Sequence, residues 1–308
     1  MAKVPPEKLL TRKQIQRKVD FYRFLMPVVS RGMMGTGKKR LGREMLLPTE
    51  AGSVRVLAYG LEAPETLPLF VNLHGSGFTI GHAEMDDRFL PGLAGKARLK
   101  ILSVDYSLAP EAPFPVALEE CYAVAKYAKE HAAELGVDSE RIAIGGHSAG
   151  GNLGAAVCLL DADRKELGLK ALILDYPPLD LHTDPFAKPR PKGALPPKMC
   201  RMFDQAYAGT REAAKNPLNS PLYASLDHLS SFPPTLVITA SEDSLAPEAE
   251  AFKDKLIAAG VPVTFRRFEG ARHAFTHMGG PAADEAWQLM ADHLVTHLGP
   301  GFSPACPR

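Results

Sequence analysis

The pentapeptide Gly146-His147-Ser148-Ala149-Gly150 lies between the apolar run Arg141-Ile142-Ala143-Ile144-Gly145 and the helix-forming stretch Asn152-Leu153-Gly154-Ala155-Ala156-Val157. G-x-S-x-G at a strand-to-helix junction demands a turn so sharp that the serine side chain is forced out at the sheet edge. Only glycine at positions 146 and 150 leaves room for that backbone. Ser148 is therefore a nucleophile candidate, and the helix that follows adds partial positive charge beneath it. A glycine-rich turn with an incidental serine has the same five letters, so the reading needs support from elsewhere in the chain.

Two other segments give it. Upstream, the buried-strand pattern Leu69-Phe70-Val71-Asn72-Leu73 runs directly into His74-Gly75-Ser76-Gly77-Phe78. A loop at a strand end can aim backbone N–H groups at a carbonyl oxygen that turns negative during acyl transfer, each worth about 3 kcal/mol. The N–H groups of Ser76, Gly77 and Ala149 are the candidates for this oxyanion hole, with His74 and Gly75 supporting the loop. Downstream, Thr235-Leu236-Val237-Ile238-Thr239 ends in Ala240-Ser241-Glu242-Asp243, and Val263-Thr264-Phe265-Arg266-Arg267-Phe268 ends in Glu269-Gly270-Ala271-Arg272-His273. An acid and a histidine thus each follow a core strand. Glu242 and Asp243 point opposite ways at a strand end, so at most one serves. His277 lies four residues beyond His273. His147 adjoins Ser148 in sequence, and a ring placed there does not easily reach the attacking side of the nucleophile. The order Ser, acid, His is that of the α/β-hydrolase triad.

Strands are expected near 43–49, 53–60, 68–74, 99–105, 140–147, 169–175, 234–241 and 262–268. Helices are expected near 85–96, 115–135, 149–163, 246–260 and 282–298. This alternation implies an α/β fold with a mostly parallel eight-stranded sheet, helices on both faces, and an antiparallel start across Glu50-Ala51-Gly52-Ser53. Catalytic groups then sit at the carboxyl ends of the strands. A helical pattern over 7–34, with an apolar stripe of Leu9, Leu10, Ile15, Val19, Phe21, Phe24 and Leu25, precedes the first strand. The proline-rich stretch 181–231 is too long for a plain connection and is expected to form a lid. In it Met199, Met202, Phe203 and Tyr207 show helical spacing, suited either to lining a pocket or to anchoring the cap. The expected organisation is cap helices over 1–42, core over 43–180, cap insertion over 181–231 and core again over 232–308.

Further motifs carry a family resemblance. Asp105-Tyr106-Ser107-Leu108-Ala109-Pro110-Glu111-Ala112-Pro113-Phe114-Pro115 resembles a D-Y-R-L-A-P-E-x-P-F-P segment, and Thr239 through Phe252 matches T-A-x-x-D-P-L-x-x-E-x-E-x-Y without a gap. Together with HGSGF and GHSAGGN, these make the chain similar to the hormone-sensitive-lipase-like family of α/β-hydrolases, which includes bacterial acetyl esterases and arylacetamide deacetylases. The match runs from about Pro68 to about His297. The resemblance implies an α/β-hydrolase fold with a helical cap. It also implies a serine carboxylesterase for short-acyl esters, with Ser148 as nucleophile, His273 as general base and acid, and Asp243 orienting the imidazole. An amidase or deacetylase on the same triad, or a receptor-like ligand-binding member, is the alternative. Three positions depart from the pattern: Ser76 replaces a glycine, His147 stands where aspartate is common, and Ser244 replaces a proline. A homodimer through the edge of the last strand is an expectation carried by the resemblance alone.

The net charge of +1 over 308 residues argues against nucleic acid as a partner. Cys121, Cys158, Cys200 and Cys306 show no C-x-x-C spacing and are expected as free thiols, which suits a reducing, cytoplasmic setting. His293 and His297 stand at i, i+4 but lack a third ligand at suitable spacing, so a solvated helix face is expected rather than a metal site. No metal and no organic cofactor are expected. Met1 to Glu7 has no apolar signal region, and Phe21 to Val29 is too short to span a bilayer, so no stable membrane insertion is expected. The basic run Lys38-Lys39-Arg40 leaves a membrane-surface role open for the N-terminal helix, against a role as cap over the active-site mouth.

Overall fold

The structure is a computed structural model that describes residues 7–33 and 40–299. Residues 1–6, Lys38, Lys39 and Cys306 lie outside the described residues. In chain order the elements are α1 (Arg12–Met33), β1 (Arg43–Thr49), β2 (Gly52–Tyr59), β3 (Leu67–Leu73), α2 (Leu90–Ala97), β4 (Lys100–Val104), α3 (Val116–Glu130) and α4 (Ala132–Leu135). There follow β5 (Val137–His147), α5 (Ala149–Arg164), β6 (Ala171–Asp175), α6 (Pro197–Tyr207), α7 (Arg211–Ala214), α8 (Leu226–Leu229), β7 (Thr235–Ala240), α9 (Ala246–Ala258), β8 (Val263–Phe268) and α10 (Pro281–Leu298).

The eight strands form one sheet in the order β1-β2-β4-β3-β5-β6-β7-β8. β2 runs antiparallel to both β1 and β4, and every other pairing is parallel. Side chains alternate across a strand, so each apolar run feeds two cores. Leu69, Val71, Ile142, Ile144, Leu172 and Leu174 join Leu118, Leu153, Val157 and Phe252 of α3, α5 and α9 on one face. Phe70, Ile101, Ala143, Ala171, Ile173 and Ile238 join Leu90, Leu93, Met290 and Leu294 of α2 and α10 on the other.

Several boundaries differ from the sequence expectation. The helix expected near 85–96 is a short 3-10 turn over Ala83–Asp86 followed by α2, which starts where proline falls in its first turn. The helix expected over 115–135 breaks at His131, whose Nδ1 and backbone N–H both reach the Tyr127 carbonyl. The stripe on α1 is only partly used: Ile15 and Val19 are buried, whereas Leu9, Phe21 and Phe24 are exposed. The solvated face expected at His293 is also corrected. α10 lies flat on the sheet, so His293 is buried with Nε2 3.2 Å from the Pro234 carbonyl. Burial, with the neighbouring His297, lowers its pKa to about 4. Among the described residues, no helix is long and apolar enough to cross a membrane.

The β3, β5 and α5 junction is the tightest place in the fold. A Cβ at Gly146 or at Gly150 would run into the Leu73 carbonyl at the end of β3. Gly150→Ala is therefore expected to destabilise the protein by about 1–3 kcal/mol through overpacking, measured by urea denaturation. An unchanged midpoint would mean that the elbow tolerates side-chain volume there.

Candidate active site

β5 ends at His147 and α5 begins at Ala149, leaving Ser148 alone to make the turn with φ 52° and ψ −119°. This is strained backbone for a residue with a Cβ. It is held because the Ser148 N–H donates to the Asp175 carbonyl at 2.8 Å, at the end of the neighbouring strand β6. Ser148 is 8% exposed, so its hydroxyl faces a sheltered space rather than bulk water.

The loops after β7 and β8 bring Asp243 and His273 to this point. His273 Nε2 lies 3.0 Å from Ser148 Oγ, and His273 Nδ1 lies 2.6 Å from Asp243 Oδ2. The Leu245 N–H donates to the other oxygen of Asp243 at 3.1 Å, which fixes the carboxylate. Burial opposes a charge on the His273 imidazole, but the charge and hydrogen bond of Asp243, with Asp175 behind, outweigh it and raise its pKa above the ordinary value. The neighbouring acid, Glu242, is tied through its backbone N–H to the Ala271 carbonyl.

The His74–Phe78 loop crosses above the serine. Ser76, Gly77 and Phe78 all take positive φ, at 93°, 61° and 61°. The Ser76 carbonyl is turned away, accepting from the Thr79 and Ile80 N–H groups. The Ser76 hydroxyl donates to the Gly75 carbonyl, so the additional donor that serine brings is spent inside the loop. A Cβ on Gly77 would overlap the Phe203 ring of α6, so this glycine serves close packing as well as φ. His74 is buried, stacks on Tyr106 at 4.1 Å between centroids, and places Nδ1 2.9 Å from the Gly75 carbonyl. Burial lowers its pKa.

A family model described as the alpha/beta hydrolase fold matches residues 70–277. The arylesterase of Saccharolobus solfataricus is 32% identical over 258 residues, covering 83% of each chain. The chain belongs to the α/β-hydrolase family. Carboxylic ester hydrolase LipN of Mycobacterium tuberculosis is 35% identical over 269 residues, 82% of this chain and 70% of LipN. Among solved structures, the thermostable carboxylesterase EstE1 from a metagenomic library has a TM-score of 0.80 at 32% identity, covering 94% of this chain and 99% of that one. The thermostable esterase of Pseudomonas putida ECU1011 has a TM-score of 0.83 at 27% identity, over 96% and 100%.

In this α/β-hydrolase Ser148, His273 and Asp243 stand in front of a second polar cluster that sequence reasoning missed. His147 does not reach Ser148 Oγ; its Nδ1 lies 2.7 Å from Asp175 Oδ2. Thr276 Oγ1 donates to the same oxygen at 2.8 Å, and the Tyr176 hydroxyl lies 2.8 Å from Thr276 Oγ1 and 2.9 Å from His277 Nδ1. His277 Nε2 is 2.7 Å from Asp86 Oδ1, whose second oxygen accepts from Asn72 at 2.7 Å. His277 is thus turned away from His273 toward the 3-10 turn that follows the His74–Phe78 loop. Burial disfavours charge on His147, but Asp86 and Asp175 overcome it and raise its pKa. Burial likewise opposes ionisation of Asp86, and His147 and His277 overcome that and lower its pKa. The one local signal was that the apolar run of β6 ends in an acid, Asp175.

Asp86, His147 and His277 bring potential ligand atoms within 4.8 Å of one another. The Asp86–His277 hydrogen bond, with those of His147 to Asp175, His277 to Tyr176 and Asp86 to Asn72, accounts for the grouping, and no reaction step is assigned to it. Replacing Thr276 by valine removes one donor from buried Asp175 and cuts the link to Tyr176. Thr276→Val is expected to cost about 1–3 kcal/mol in guanidinium unfolding. A smaller loss would mean that the link is dispensable for the fold.

Proposed function

We propose that the chain is a carboxylic ester hydrolase that cleaves short-acyl esters through a covalent acyl-enzyme on Ser148. The observation that carries this reading is the unbroken Ser148–His273–Asp243 relay at the base of a cavity of about 220 Å³ with a mostly apolar lining. Esterase and carboxylesterase relatives along most of the chain support the same class.

His273 takes the Ser148 proton as the oxygen attacks the ester carbonyl, and Asp243 holds the ring and favours its charged form. The N–H groups of Ser76, Gly77 and Ala149 receive the oxyanion; Ala149 opens α5, where N–H groups lack partners within the helix. His273 then protonates the leaving alcohol, and the same ring activates the water that releases the acid. The cap is assigned to α1 and the insertion over 181–231. Met199 and Phe203 of α6 line the cavity, while Tyr207 turns inward to stack on Phe78 at 4.0 Å. α1 is bound to this side through Arg23, which pairs with Glu111 at 2.6 Å and donates to the Thr79 carbonyl at 2.9 Å. A homodimer through the open edge of β8, where Phe265 is exposed, completes the proposal. The free thiols Cys121, Cys158 and Cys200 support a cytoplasmic setting.

On 4-nitrophenyl acetate and butyrate, Ser148→Ala is expected to lose at least about 10³-fold in kcat, and an organophosphonate is expected to leave one adduct on Ser148 by intact mass. Wild-type turnover that survives in the variant would sink the assignment. His273 must be neutral to accept the proton, and its pKa is raised. kcat/KM should therefore fall as pH drops through an inflection above about 6.5. Asp243→Asn removes the main cause of that shift, so its inflection should move to lower pH and kcat should fall by about 10²–10⁴-fold. An inflection that stays in place would assign the titration to another group.

A further inference from the structure

The cavity before Ser148 has a mostly apolar lining, with the Ser148, His273, His147 and His277 side chains at one end and, away from them, a wall formed by Lys188 and Asp204. Lys188 comes from the loop between β6 and α6, and Asp204 from α6; their side chains are 9% and 10% exposed. Neither takes part in the ester chemistry described above. Charged groups this sheltered are rare unless paired, and a few polar groups in an apolar pocket are what orients a ligand.

The pairing on this wall is unequal. Lys188 Nζ lies 2.5 Å from Glu248 Oε2 and donates to the Asp180 carbonyl at 2.7 Å. Arg211 Nη1 donates to Asp204 Oδ2 at 2.8 Å, and Arg211 also pairs with Glu7 at 3.1 Å. The groups that converge are Glu7 before α1, Asp180 and Lys188 of the loop, Asp204 of α6, Arg211 of α7 and Glu248 of α9. Four are carboxylates and two are cations. The adjoining Asp184–Arg201 pair is balanced within itself. Cys200 stays neutral, since burial pushes its thiol up to about 12. Asp243 and His273 at the catalytic end form their own pair.

We propose that the Asp204–Lys188 wall is a subsite for a protonated primary amine carried by the substrate, so that esters with an ammonium group on a short methylene chain are preferred. The proposal rests on the esterase reading. The wall carries more carboxylates than cations, and an entering ammonium supplies the missing positive charge. A carboxylate ligand is disfavoured because Lys188 is already held by Glu248 and outnumbered by Asp180, Asp204 and Glu248. Burial also shifts two of these carboxyls. Burial raises Asp204 to about 6, against the pull of Arg211 and Lys188, and raises Glu248 to about 7, against Lys188. Above these values both carboxyls are ionised and amine binding is strongest; below them protons neutralise the surplus and the preference fades.

The test compares near-isosteric esters that differ in charge at the chain end. 4-Nitrophenyl 6-aminohexanoate is set against 4-nitrophenyl heptanoate for the acyl half, and the acetates of 6-amino-1-hexanol and 1-heptanol for the alcohol half. Mono-4-nitrophenyl adipate supplies the anionic case, Ser148→Ala the blank and 4-nitrophenyl acetate the reference. In at least one pair the amine ester is expected to lead by about tenfold in kcat/KM at about pH 8, with the lead shrinking toward about pH 6. Asp204→Asn, nearly isosteric, should abolish the lead. Should that variant misfold, the pH dependence of the wild-type ratio decides alone. Equal or slower amine esters in both pairs, a lead for the adipate ester, or an amine lead that persists in folded Asp204→Asn would overturn the proposal. Turnover of 4-nitrophenyl acetate with no amine preference removes the subsite and leaves the esterase standing; no Ser148-dependent turnover of any ester removes both.

Discussion

The close approach of the β5–α5 elbow to the end of β3 is the constraint on which the rest of the site depends. Gly146 and Gly150 let the turn close against the Leu73 carbonyl, and the Ser148 N–H is then captured by the Asp175 carbonyl on the other side. The serine is therefore wedged between two strand ends, and its positive φ is imposed by neighbours on both sides. Because β3 continues directly into the His74–Phe78 loop and β6 directly into Tyr176, the same wedge fixes the two segments that border Ser148. Strain at one residue is sustained by hydrogen bonds and packing spread over three strands.

Asp175 is the junction between this backbone frame and the turn that carries His273. Its carbonyl holds Ser148, while its carboxylate receives His147 and Thr276. Thr276 lies three residues beyond His273, and Trp287 of α10 donates to the Thr276 carbonyl at 3.0 Å. The turn that carries His273 is thus gripped from the sheet and from α10 at once. His147, one residue from Ser148, lies behind the site: flanked by Asp86 and Asp175, it balances buried carboxylates that would otherwise be costly.

Sequence reasoning reached the parts of the site that are local. Ser148, Asp243 and His273 each follow an apolar run, and a parallel sheet delivers strand ends to one edge, so their proximity was legible from pattern and order. The strands themselves were legible because both faces are buried and the runs are continuous. What could not be read were interactions decided by three-dimensional neighbours. Asp86 and His277 are 191 residues apart and meet at 2.7 Å. Lys188 falls in the proline-rich stretch, and only folding brings it to Glu248 of α9. His293 was misread for the same reason: i, i+4 spacing says which helical residues share a face, but not whether that face meets the sheet.

One side chain connects the segment between β6 and β7 to α5. Asn152, in the first turn of α5, donates to the Pro178 carbonyl at 2.7 Å and to the Asn219 carbonyl at 2.9 Å. Pro178 and Asn219 flank α6 and α7 in sequence, so a single buried amide clasps both ends of that segment. The Leu181 N–H on the Ser220 hydroxyl, at 2.8 Å, and the Leu222 N–H on the Leu179 carbonyl, at 3.0 Å, close the same neck. Past the neck the chain divides by role. α8 and the turn at Pro221–Tyr223 pack against α5 and α9, whereas α6 leans over the serine. The strain at the elbow is therefore borne by β3 and β6, through the Leu73 and Asp175 carbonyls, and not by α6.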